Sequence, residues 1–162
     1  MSKSGEALSK ALVVAPNAAL SVFRTIMDVA IDGAGPLPGA RKAAGATLNR
    51  KGEVEAAIDA LVRSHIGMAG TQGFLANLGG WVTIPVALPA NMGALATLQA
   101  RMVAAISHLR GYDVDDPRVR TAIFTCLLTQ DSVDELIRNE KIPSTPMAMA
   151  TAPVSDPELE KT

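Results

Sequence analysis

From Ser64 to Ala100 the chain carries no Asp, Glu, Lys or Arg. A run this long without charge has to be buried in a core, laid against another apolar surface or set in lipid. A spanning helix needs about 20 predominantly apolar residues. The length is present, but Asn77, Gly79, Gly80, Pro85, Pro89 and Asn91 interrupt it. A straight helix here would take broken backbone bonds and amides into lipid. The expected form is a re-entrant or interfacial hairpin, or an ordinary buried helical pair. Pro85 and Pro89 end or kink whatever helix holds Trp81.

The rest of the composition narrows the chemistry. At 162 residues one domain with its own core is the default. Apolar residues make up 48% of the chain and aromatics 3%, so Ala, Val, Leu, Ile and Met must fill the interior at close range. A net charge of -1 excludes the basic excess of a nucleic-acid binder. The single Cys126 and two histidines exclude a disulfide framework and a zinc cluster. No metal and no cofactor is expected. Residues 1–16 hold Lys3 and Lys10 ahead of a short apolar run, but Glu6 intrudes and no cleavage site follows. A cytoplasmic protein is therefore expected.

Helical periodicity recurs along the chain. Leu20, Phe23, Met27 and Ala30 or Ile31 repeat three and four apart between Pro16 and Gly33, which predicts a helix with a start and a stop. Residues 33–52, with Gly35, Pro36, Pro38 and Gly39 and the cations Arg41, Lys42, Arg50 and Lys51, read as a loop or linker. Those cations are either solvated or available to a phosphate surface. From Glu53 a second helix presents Val54, Ala57, Ile58, Leu61, Val62, His65, Ile66 and Ala69 on one face, with Glu53, Glu55, Asp59 and Arg63 outside it. A third opens at Pro89 to Asn91, contains Leu95, Leu98, Met102, Ala105, Ile106 and Leu109, and stops at Gly111. Asp115, Asp116 and Pro117 start a fourth, with Val119, Ala122, Ile123, Cys126 and Leu127 on its apolar face. Ser132 and Glu135 have capping-box spacing and predict a further short helix. No alternating strand pattern bounded by hairpin turns occurs. The fold class expected is all-α, a compact helical domain with a Gly/Pro-interrupted apolar helical hairpin. It should occupy residues 1–141, followed by a Pro-rich tail without fixed structure over 142–162.

Taken together, His65, Gln72-Gly73-Phe74, Leu78-Gly79-Gly80, Ile84-Pro85, Leu88-Pro89-Ala90-Asn91, Gln99, Arg101, Gly111-Tyr112-Asp113 and Asp116-Pro117 resemble the EcsC protein family of bacteria. The likeness covers residues 53–136. It implies a helical bacterial protein associated with the membrane, and it brings no enzymatic mechanism with it. Family members usually continue with another Gly-rich apolar helical segment, so a short variant completed by a neighbouring copy is one expectation.

Three sets of residues stand out as candidate sites. Phe74, Leu75, Trp81, Val82 and Ile84 form an insertion wedge or partner contact if they face outward, and core if they face inward. Gly73, Gly79 and Gly80, with Pro85 and Pro89, suit close helix packing or a hinge; their spacing is not that of a phosphate loop. His65, Gln72, Asn77, Asn91 and Arg101 are polar groups within apolar helices, as a ligand pocket requires. His65 is the natural candidate for acid–base work, but a core histidine bonded to a carbonyl is the commoner arrangement. No catalytic residue is assigned. Arg101 falls on or near an apolar stripe, where a guanidinium is costly unless paired. Asp113 is its expected partner in a structural ion pair, with Asp115 and Asp116 close by. Tyr112 should pack on the third helix and Cys126 should be buried.

Three functions are compatible with these residues. The first is a non-enzymatic protein, peripheral at the inner membrane, that binds a membrane surface or membrane complex through residues 64–100, aided by the basic residues at 41–51. The second is a small enzyme or small-molecule-binding protein with a polar pocket around His65 and Arg101. The third is a homo-oligomeric structural protein.

Overall fold

The computed structural model describes the backbone of residues 16–78 and 84–153 and the side chains of 21–70 and 93–153. Among these residues the protein is mostly helical. Its elements are α1 (Pro16–Asp32), a minimal hairpin of β1 (Gly33–Ala34) and β2 (Leu37–Pro38), α2 (Ala40–Lys51), α3 (Val54–Leu78), α4 (Ile84–Leu109), α5 (Pro117–Thr125), α6 (Gln130–Arg138) and α7 (Pro146–Thr151). Helix α4 is the hub, packing against α1, α2, α3 and α5.

Helix α1 forms where the periodicity places it, with Ile26, Met27, Ala30 and Ile31 buried and Phe23 edge-on to Phe124 of α5 at 4.6 Å between ring centroids. It ends at Gly33, whose φ of +92° favours glycine. The segment expected to be a loop is instead the hairpin and α2. In the hairpin Gly33 pairs with Pro38 and Ala34 with Leu37 in antiparallel register. The turn residues at 33–39 disguise the helix behind them, because α2 packs through small side chains. Ala40, Ala44 and Thr47 are its buried face, and no large hydrophobic residue marks the stripe.

The same economy shapes α3 and α4. Ala57, Leu61 and His65 are buried on α3, with Glu53, Glu55, Asp59 and Arg63 exposed as expected, while Ile66 is 65% exposed rather than on the buried face. On α4 the buried positions are Ala96, Ala100, Arg101, Ala104 and Ala105. Leu95, Leu98, Met102, Ile106 and Leu109 are half-buried flanks. Alanine at the contact lets helix axes approach closely, and the longer residues pack beside the seam. Helix α4 begins at Ile84, earlier than the expected Pro89 to Asn91 start. Pro85 lies in its first turn, where a missing N–H costs no intrahelical bond.

Past α4 the punctuation works as read. Gly111 closes the helix with φ +87°, and Asp116 caps α5, accepting from the Arg118 N–H at 2.8 Å, with Pro117 first in the helix. Bonding to Arg118 holds the Asp116 carboxyl down at about 2. Cys126 is exposed, not buried, because α5 ends at Thr125 and the thiol leaves the apolar face. Helix α6 starts two residues before the expected Ser132, with Thr129 as its cap, accepting from the Ser132 N–H at 3.3 Å. Part of the segment expected as a tail is helical. Helix α7 lies on α5 with Met149 5% exposed, and the Ala152 carbonyl accepts from Arg118.

Candidate functional site

The charge-free stretch is built largely into the C-terminal part of α3 and most of α4. No helix among the described residues is long and apolar enough to cross a membrane. What the described part of this stretch encloses is polar: His65 on α3 and, one residue past its end on α4, Arg101. These observations overturn the expectation of a membrane-binding apolar segment. Of the proposed contact residues, Phe74, Leu75 and Ile84 lie on helical backbone with their side chains outside the described set, and Trp81 and Val82 lie outside it entirely. Gly73, Pro85 and Pro89 are likewise placed only by backbone, and Gly79 and Gly80 fall outside the described residues.

His65 and Arg101 are 5% and 4% exposed. The His65 ring nitrogen Nδ1 lies 2.8 Å from the Leu61 carbonyl oxygen, one turn back on α3. A carbonyl can only accept, so Nδ1 carries the hydrogen and Nε2 presents a lone pair. That lone pair accepts from Nη1 of Arg101 at 2.8 Å. The Arg101 Nε–H donates to the Pro38 carbonyl at 2.6 Å. One guanidinium thus ties α4 to α3 and to the hairpin. Burial lowers the His65 pKa, opposed by the Leu61 bond and reinforced by the Arg101 charge. Burial also lowers that of Arg101.

The expected Arg101–Asp113 ion pair does not form. Asp113 accepts from the backbone N–H of Asp115 at 3.0 Å, capping its own turn, and both described partners of Arg101 are neutral. Other carboxylates are paired at or near the surface: Arg41 pairs with Asp32 at 2.8 Å and with Asp115, Arg120 with Asp28, and Arg110 with Glu55 at 2.5 Å. Arg41 is therefore engaged, while Lys42, Arg50 and Lys51 are exposed on α2. Of the other polar candidates, Gln72, Asn77 and Asn91 sit on α3 and α4 with side chains outside the described set, so His65 and Arg101 are the two that the structure brings together.

The two carbonyls that complete the arrangement were not singled out from sequence. Leu61 stands four residues before His65, a spacing that helical geometry makes visible. Pro38 is 63 residues from Arg101 and carries no sequence signal for the contact. Among the described residues no group of acids, histidines or thiols is arranged to hold a metal ion. Both His65 ring nitrogens are committed, so this imidazole is not poised as a general base. Tyr112 is partly buried against the core, its hydroxyl donating to the Met147 sulfur at 3.6 Å. No protein family, curated protein or solved structure matches this chain. The EcsC resemblance therefore rests on its short sequence motifs.

Proposed function

We propose that this is a small-molecule-binding helical protein whose site centres on Arg101, with His65 and the Pro38 carbonyl as positioning groups. The observation that carries this reading is a guanidinium 4% exposed, held by two neutral acceptors. Burying a permanent cation is costly, and the bonds to Pro38 and His65 fix its orientation. A fixed, desolvated polar group inside an alanine-rich wall is what a recognition site requires. Engagement of both His65 nitrogens favours binding over acid–base chemistry at that residue.

The test is ligand-detected NMR with a panel of small carboxylic acids, phosphates, amino acids, sugars and nucleosides, followed by Arg101→Gln. At least one compound is expected to bind the wild type and to lose binding in the variant. Chemical-shift mapping on the wild-type protein accompanies it, so that a poorly folded variant does not decide the matter. An empty panel, or binders that leave the Arg101 and His65 resonances unmoved, overturns the reading.

A further inference from the structure

Arg101 has donors to spare. Of the five N–H groups of a guanidinium, one on Nε and one on Nη1 are used by Pro38 and His65. That leaves one N–H on Nη1 and both on Nη2 without a partner among the described residues. No carboxylate pairs with this cation in the same set, although Arg41, Arg110, Arg118 and Arg120 each have one. Those four lie at or near the surface, where pairing is worth least. Among the described residues, the one buried guanidinium lacks the counter-charge that these four possess.

We infer that the ligand of the Arg101 site is a small oxyanion, presenting two acceptor oxygens to the unused Nη1 and Nη2 hydrogens. The inference rests on the binding function proposed above and names its ligand class. Three properties support it. The guanidinium fork matches carboxylate and phosphate oxygens in a two-point contact, which neutral acceptors reproduce only in part. Ala100, Ala104 and Ala105 flank Arg101 on α4, each at most 1% exposed, so the charge acts in surroundings of low polarisability and an anion is held more strongly than at the surface. His65 accepts from Nη1 as a neutral ring, which aims the fork without supplying the negative charge that would compete with a ligand.

The experiment follows the Arg101 Nε–H resonance of the full chain by 15N NMR during titration with sodium acetate or inorganic phosphate. Acetamide serves as the neutral analogue of acetate, and sodium chloride holds ionic strength constant. A saturable shift with acetate, with phosphate or with both is expected, and none with acetamide or chloride. Acetate alone identifies a carboxylate ligand, and phosphate alone a phosphorylated one. Arg101→Lys keeps the charge but loses the fork, and is expected to weaken binding by about tenfold or more. An equal response to acetamide overturns the oxyanion assignment and leaves the binding site standing. No response to either anion also overturns it; the binding function falls as well only if the wider panel is empty or its binders leave the Arg101 and His65 resonances unmoved.

Discussion

His65 and Arg101 meet 2.8 Å apart inside the helical bundle. Their burial follows from helical spacing, and a guanidinium on an apolar stripe demands partners on energetic grounds. Which partners it finds is a different matter: Asp113, just past the end of α4, was the natural expectation, and a carbonyl and an imidazole from distant segments are what the fold supplies. The neutral imidazole has a measurable consequence. Burial lowers the pKa of His65 from the ordinary 6.5, so between the folded value and 6.5 the unfolded chain binds the proton first. Its contribution to stability is complete above about pH 6.5 and is lost as pH falls from there through the lower folded value, because protonation puts a charge on a buried ring and, as a smaller effect, sets a second cation 2.8 Å from Arg101. Urea unfolding between about pH 5 and pH 8 should show stability rising with pH, with a shallower slope in His65→Gln. An identical slope in the variant contradicts this account.

At the scale of elements, the tightest constraint is where the hairpin returns to the end of α1. Gly39, the N-cap of α2, is buried against it: a Cβ there would meet the Ile31 carbonyl oxygen and the Asp32 backbone at 2.6 Å. Backbone atoms cannot rotate away as a side chain can, so Gly39→Ala should cost about 3 kcal/mol or prevent folding. Gly45 of α2 has open space at its Cβ position, and Gly45→Ala should stabilise by about 0.5–1 kcal/mol. Chemical denaturation of the two variants checks both signs, and equal effects would refute the close approach at Gly39. The stops at Gly33 and Gly111 and the start at Asp116-Pro117 were legible, because each depends on chemistry local to a few residues. Helix α2 was not. Its stripe is alanine and threonine, and the charges and turn residues around it imitate a linker.

For the molecule as a whole, α1, α2, α3 and α5 pack around α4, and α7 docks on α5 with Met149 as its one buried side chain, beside the Arg118 bond to the Ala152 carbonyl. Met149→Ala should cost about 2 kcal/mol and speed amide exchange over residues 146–151, while leaving α1 to α4 protected; unchanged exchange in α7 would show that it docks by other means. Length and helical periodicity by themselves determined a mostly helical domain, the starts of α1, α3 and α5, the stops at Gly33 and Gly111, and the burial of His65. These properties depend on composition and on neighbours within one or two turns. Only the tertiary structure decided that residues 33–52 form a hairpin and a packed helix, that Cys126 is exposed, that residues 146–151 form a helix against α5, and that Arg101 bonds Pro38 and His65 rather than Asp113. It also decided that the uncharged stretch becomes two helices of the bundle. An uncharged sequence records only that its surroundings are out of water; whether they are lipid or other helices depends on contacts between segments tens of residues apart, which no local pattern encodes.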